Sequence, residues 1–114
     1  MRRQMGDGDT DRIRELNDQA RQSFTGCLVV ITQGIAELGD EATHAILAQV
    51  RAFDRFTPSN DPYHEHDFGS LWSGDVQVFW RWDYYDLDYS MHSPDPADEA
   101  VTARVLTVML AEEY

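Results

Sequence analysis

The chain has 114 residues, a length that corresponds to one compact domain and excludes a multidomain enzyme. Hydrophobic residues make up 42% of it, enough for a buried core, while nine basic and 21 acidic residues give a formal net charge of −12 at pH 7. This charge excludes a surface that tracks nucleic-acid phosphates by bulk attraction, so we expect no direct nucleic-acid ligand.

The sequence shows no membrane or targeting segment. Its longest unbroken apolar run covers residues 27–31, whereas a membrane-spanning helix needs about 20 residues. A single cysteine excludes an internal disulfide and a cysteine-based metal cluster. We therefore expect a cytoplasmic protein that is held together by packing.

The first part of the chain predicts a tail, a helix and a strand. Residues 1–9 lack periodicity and are predicted to form a flexible tail ahead of a single domain over residues 10–114. Residues 27–31 are apolar and partly β-branched, which predicts a short strand covered on both faces. The first helix is predicted from apolar residues at helical spacing: Ile13, Leu16, Ala20 and Phe24.

The remaining elements are a helix, a hairpin and a last helix. Asp40 as N-cap predicts a second helix that ends near Arg55, and residues 57–62 are rich in turn formers. Residues 67–72 and 76–85 predict an antiparallel hairpin. Pro96 suits a first helical position, and a third helix reaching nearly to residue 114 is predicted from the apolar set Val101, Val105, Val108 and Met109.

The predicted order α-β-α-β-β-α favours a two-layer α+β domain in which helices cover a small antiparallel sheet. Eleven of the 13 aromatic residues lie within residues 53–89. In the strand over residues 76–85, large aromatic side chains fall on both faces. Since the helices can bury only one face, the other needs a cover, which the loop over residues 56–68, a second copy or a partner protein would provide.

Most of the negative charge lies in the same region. Residues 54–99 contain 11 acidic residues against two arginines, a net of −9. A compact acidic surface with rigid tyrosine anchors can occupy a basic groove built for DNA, or the acidity serves only solubility. The residues that we assign to a partner-binding surface are Asp83, Tyr84, Tyr85, Asp86, Asp88, Tyr89, Asp95, Asp98 and Glu99.

The run from His64 to Asp67, His-Glu-His-Asp, is the most metal-like feature, because imidazole and carboxylate groups are common metal ligands. On an extended strand only two of the four side chains share a face, so further ligands would have to come from elsewhere. The alternative is a hydrogen-bonded loop. Residues 86–90 open like a calcium-binding loop, but Met91 and Ala97 replace its glycine and its acidic residue. We assign no cofactor and no catalytic residue.

Four segments and the chain ending resemble one bacterial family of unknown function. They are Asn60-Asp61-Pro62-Tyr63, Glu65-His66-Asp67-Phe68-Gly69, Asp83-Tyr84-Tyr85-Asp86-Leu87-Asp88, Ser93-Pro94-Asp95-Pro96-Ala97-Asp98 and Met109-Leu110-Ala111-Glu112-Glu113-Tyr114. The resemblance covers residues 24–114 and implies frequent occurrence on plasmids and other mobile elements, without an established activity. His64 departs from it, because a small residue is expected there.

Together, the acidic aromatic surface and the resemblance favour a non-enzymatic inhibitor that binds the basic surface of a host nucleic-acid-processing complex. The complex would be a restriction or CRISPR effector, with the inhibitor as a possible DNA mimic. The alternatives are a small metal-dependent hydrolase or nuclease using His66, Glu65, Asp67 and Asp83, and an interaction module that forms a homodimer through the aromatic strand.

Overall fold

The computed structural model describes residues 7–114, which form an α+β domain, as predicted. Of the expected tail, residues 1–6 lie outside the described residues, and the rest is helical because the first helix begins at Asp7. Single 3-10 turns occur at Glu99–Val101 and Ala111–Glu113. The main elements are α1 (Asp7–Ser23), β1 (Leu28–Ile31), α2 (Gln33–Ala36), α3 (Asp40–Ala52), β2 (Phe68–Ser73), β3 (Val76–Tyr85) and β4 (Ala103–Leu110).

The four strands form one mixed sheet in the order β1-β4-β3-β2. The predicted hairpin is confirmed: β2 pairs antiparallel with β3 across a tight turn in which Gly74 has a φ of +62°. β4 is antiparallel to β3 but parallel to β1. The expectation of a purely antiparallel sheet is therefore wrong, because the chain returns to place β4 between β1 and β3.

The last predicted element is also wrong: the third helix expected after Pro96 is absent from the described chain, and β4 occupies most of its range. Val105, Val108 and Met109 do recur at helical spacing, but they belong to an unbroken β-branched and aliphatic run. Such a run is typical of a central strand with both faces buried, and six of the eight β4 residues are buried. Strand propensity and position between two neighbours outweigh the helical periodicity.

The two long helices, α1 and α3, pack against one face of the sheet, which is called here the first face. Ile13, Ile46 and Val50 are fully buried there with Trp80 of β3. Trp80 lies so close to β2 that a Cβ atom on Gly69 would collide with its indole ring. Only a glycine in β2 allows this indole to lie flat against the neighbouring strand.

The opposite side of the sheet, called the second face, has no helix over it within residues 7–114. Phe68, Phe79 and Tyr114 cluster on part of it, with ring centroids 5.1 to 5.9 Å apart. The loop expected to cover this face instead sends Phe56 inward, where its ring contacts Phe53 and Trp80 of the core. The second face is thus only partly open: Val105 and Met109 of β4 are buried on it, whereas Leu28 and Val30 at the β1 edge are exposed.

β1 forms an edge of the sheet, and the expectation that it is covered on both faces is wrong. Leu28 is 49% exposed and Val30 37% exposed, because β1 has a neighbour on one side only and no helix above its second face. Within the described residues, no helix has the length and apolar composition needed to cross a membrane.

Candidate functional site

The acidic segment assigned to partner binding begins with a compact turn over residues 86–92, called here the acidic turn. The backbone N–H of Asp86 donates to the carbonyl oxygen of Met91 at 2.8 Å, and an isolated bridge joins Tyr85 to His92. The Asp86 carboxylate accepts a hydrogen bond from the backbone N–H of Ser90 at 3.0 Å, which lowers the pKa of Asp86. Asp86 therefore stays ionised and holds the turn.

The acidic turn presents apolar side chains beside its charges. Leu87 is 61% exposed, Met91 70% and Tyr89 54%. Tyr89 has a φ of +59°, and its ring lies 6.3 Å from that of Tyr85. The carboxylate of Asp88 is exposed and, among the described residues, accepts no hydrogen bond. The turn thus combines free negative charge with projecting apolar side chains.

The later acidic residues lie in the loop that leads to β4. Asp98 caps the 3-10 turn, since its carboxylate accepts from the backbone N–H of Ala100 at 2.9 Å. Asp95 accepts from the backbone N–H of Ala97 at 3.2 Å. Glu99 is exposed; its carboxylate lies 3.8 Å from Arg12 of α1 and also interacts electrostatically with Arg104. Asp95 and Asp98 therefore shape the loop, whereas Glu99 faces solvent.

Two of the assigned residues, Tyr85 and Asp83, lie on the second face, because they alternate with Tyr84 along β3. Asp83 forms an ion pair with Arg81, with Arg81 Nε 3.1 Å from Asp83 Oδ2. Both side chains are partly exposed. The structure thus places Asp83 and Tyr85 on the same side of the sheet as the exposed Leu28 and Val30 of β1.

The assignment of Tyr84 to a partner surface is wrong. Tyr84 is 9% exposed and lies on the first face, where its hydroxyl donates to Glu65 Oε1 at 2.9 Å. The same hydroxyl accepts from Asn17 Nδ2 at 2.8 Å. Burial also raises the pKa of Tyr84 far above its usual range. Alternation along β3 puts neighbouring tyrosines on opposite faces, so Tyr84 and Tyr85 cannot share a surface.

Beneath Tyr84 lies a buried polar cluster that sequence reasoning missed. Asn17 is fully buried, donates to the carbonyl oxygen of Glu65 at 3.0 Å and accepts from Arg104 Nε at 2.9 Å. Arg104 is itself 4% exposed. The signal was available in α1, where Asn17 and Arg21 continue the spacing that begins at Ile13 and therefore fall on its buried face.

The run from His64 to Asp67, considered above as metal-like, makes separate contacts in the structure. His64 and His66 both have positive φ angles, so the segment is not the extended strand that was assumed. His66 is held between two carboxylates, with Nδ1 2.9 Å from Asp18 and Nε2 3.5 Å from Asp61. Its ring also stacks on a phenylalanine, with centroids 3.6 Å apart.

Glu65 of the same run accepts from Tyr84, and burial raises the pKa values of both Glu65 and Asp67. Asp83, the other residue of the metal-dependent alternative, is paired with Arg81. Across the described chain, no group of three or more His, Cys, Asp or Glu side chains is arranged to hold a metal ion. The arrangement matches the hydrogen-bonded loop.

A groove of about 400 Å³ opens where that loop meets the second face. Its walls come from four separate parts of the chain: the loop before β2, the start of β2, the C-terminal half of β3 and the final residue. The residues that line it are Asn60, Pro62, Tyr63, Asp67, Phe68, Arg81, Trp82, Asp83 and Tyr114.

Comparison with curated proteins and with solved structures gave no match. A family model, described as "Protein of unknown function (DUF3768)", matches residues 31–113. The match includes α2, α3, the hairpin and β4, together with the acidic turn and all of the groove except Tyr114. Because it spans well over half of the sequence, the chain belongs to the DUF3768 family, whose function is unknown.

Proposed function

We propose that this protein inhibits a nucleic-acid-processing complex, of the restriction or CRISPR type, by binding a basic surface of that complex in the cytoplasm. The observation that carries the proposal is the position of the acidic turn, which borders the second face of the sheet, where Leu28 and Val30 are exposed. An apolar patch with a charged rim is the usual composition of a protein-binding surface. Occurrence on mobile elements, which the resemblance implies, would give such an inhibitor a role against host defence.

The charge of this surface has one sign. Residues 82–100 include six acidic side chains and no basic one. Two of the arginines that would offset this charge, Arg21 and Arg104, are buried in the core, so their guanidinium groups are withdrawn from the surface. A field of this sign would accelerate the encounter with an arginine- and lysine-rich groove that normally holds DNA, and added salt would weaken it. In this respect the protein would act as a DNA mimic.

The contact would be anchored by the apolar side chains of the acidic turn. Leu87, Tyr89 and Met91 project from a turn that internal hydrogen bonds already hold in shape. A pre-formed turn loses little conformational entropy on binding, so its exposed side chains can contribute most of their burial energy to affinity. Charge would therefore govern the association rate, and these side chains the lifetime of the complex.

The experiment is affinity capture from host lysate with the tagged protein, at low and at physiological salt, followed by mass spectrometry and binding measurements with the purified complex. Asp88→Lys combined with Glu99→Lys should weaken binding at least 10-fold, because both carboxylates are exposed and belong to the single-sign charge of this surface. Asp75→Lys combined with Glu112→Lys is the matched control, since it changes the net charge equally at the other end of β3.

Capture of a nucleic-acid-processing complex that competing DNA displaces, and that only the first pair weakens, supports the proposal. Equal affinity of both double variants, or capture of no such complex, would overturn it.

A second candidate, a homodimeric interaction module, is favoured by the β1 edge. Residues 25–36 contain no charged side chain although 26% of the chain is charged, and Leu28 and Val30 are exposed. Edge strands of this kind pair readily with another strand. For this candidate, sedimentation equilibrium would give the mass of two chains for the unmodified protein and the mass of one chain for Val30→Lys. A mass of one chain for the unmodified protein would exclude it.

A further inference from the structure

The groove beside the second face combines negative charge with aromatic walls. Asp67 and Asp83 both line it, close enough that the Asp83 carboxylate disfavours the charge of Asp67. Asp83 is paired with Arg81, but no basic side chain among the described residues forms an ion pair with Asp67. The groove therefore holds two carboxylates and one guanidinium, an excess of one negative charge.

Asp67 is only partly solvated, which makes its unpaired charge unfavourable. Burial raises the pKa of Asp67 and the neighbouring carboxylates Asp61 and Asp83 raise it further, which together outweigh the opposite effects of a backbone hydrogen bond and of His66. A cation entering the groove would offset this repulsion and replace the water that Asp67 has lost. Charge complementarity thus selects a positively charged occupant.

The aromatic walls favour a planar cation. Tyr63 and Tyr114 are both highly exposed and line the groove together with Phe68. The chain already stacks its own arginines on rings: the Arg81 guanidinium carbon lies 5.9 Å from the Tyr114 centroid, and four other arginines of the described chain show the same contact. A guanidinium is more weakly hydrated than an ammonium and can bind a carboxylate through two hydrogen bonds while it stacks.

We propose that this groove receives an arginine side chain of the partner protein, with Asp67 accepting its guanidinium hydrogen bonds and Tyr63 and Tyr114 stacking on it. The inference rests on the proposed function and names the chemistry by which the partner is recognised. It also extends the proposed binding surface from the acidic turn past Asp83 to the groove.

The test is an NMR titration of the ¹⁵N-labelled full chain with a capped Gly-Arg-Gly peptide at constant ionic strength. The matched control peptide contains citrulline, which has the shape of arginine without its charge. We expect amide shifts at Asp67, Phe68 and Asp83 with the arginine peptide and at least fivefold smaller shifts with citrulline. Shifts of equal size with both peptides, or shifts only outside the groove, would overturn the inference.

Two variants connect the shifts to the groove. Asp67→Asn removes the unpaired charge without a change in shape and should abolish the shifts, while Asp75→Asn, in the exposed hairpin turn, should leave them unchanged. Unchanged shifts in Asp67→Asn would overturn the inference. If the arginine peptide does not bind the groove, the affinity-capture experiment with the Asp88 and Glu99 variants still tests the proposed function. If the peptide binds the groove but no complex is captured, the proposed function alone is overturned.

Discussion

The hydroxyl of Tyr84 offers a direct measure of how far the buried polar cluster stabilises the fold. Tyr84→Phe keeps the ring in the core but removes a hydrogen bond to the carboxyl group of Glu65 and one from Asn17. A neutral hydrogen bond contributes about 1 kcal/mol net, and one to a charged group about 1.5 to 3 kcal/mol. Because Glu65 is partly exposed, water can replace part of the loss, so we expect a decrease of about 1–3 kcal/mol in the free energy of unfolding.

The assay is urea denaturation at pH 7, followed by the fluorescence of the buried tryptophans Trp80 and Trp82. Tyr85→Phe is the matched control, because it makes the same change one residue along, on the second face, at a hydroxyl with no hydrogen bond among the described residues. A loss of about 2 kcal/mol corresponds to a decrease of about 8 °C in Tm for a domain of this size. The control variant should change Tm by less than about 2 °C.

The effect of Tyr84→Phe should also depend on pH. The Tyr84 hydroxyl opposes the rise in the pKa of Glu65 that burial causes, so the variant has an even higher pKa at Glu65. The folded variant then binds a proton more readily than the folded parent protein. As the pH falls far enough to protonate Glu65, the variant regains stability relative to the parent protein. The difference in free energy of unfolding between the two proteins therefore becomes smaller. A difference below about 0.5 kcal/mol at pH 7, or one independent of pH, would refute the reasoning.

Two further changes test the packing of the sheet and its connection to α2. Gly69→Ala should destabilise the protein by about 1–3 kcal/mol, because the new Cβ atom would collide with the Trp80 indole. Thermal unfolding with an unchanged Tm would contradict this close approach. Glu113→Gln should lower Tm at pH 7, but much less at a pH low enough to protonate this carboxylate in the folded parent protein. Its carboxylate accepts from Thr32 Oγ1 and two backbone N–H groups, which lowers its pKa and gives stability that is lost on protonation. Glu112→Gln serves as the control, and equal shifts in both would argue against the contact.

The elements with a clear local signal were predictable from the sequence. The α1 stripe from Ile13 and the β2–β3 hairpin with its glycine turn both depend on neighbouring residues, and both are observed. β4 was missed because its spacing fits a helix, and only its position between two other strands decides in favour of a strand. That position depends on residues distant in the chain, which local periodicity does not report.

The candidate site was likewise predictable from the sequence only in part. The acidic turn could be located from composition, since its charges and apolar residues are consecutive. The buried position of Tyr84 and the groove could not, because each depends on contacts between separate segments, such as Asn17 with Tyr84 or Tyr114 with Phe68. A rule of alternation along β3 would have separated Tyr84 from Tyr85 once the buried face was known.

The central position of β4 has a consequence for the order in which the fold assembles. The β2–β3 hairpin joins residues that are close in sequence, whereas Leu28 of β1 meets Val105 of β4 nearly eighty residues away. Closing so long a loop costs more entropy, so the hairpin is expected to form early and to act as the template on which β4 docks. β1 then has a neighbour only after β4 is in place, which makes this edge the last strand to form and the first to exchange its amide hydrogens.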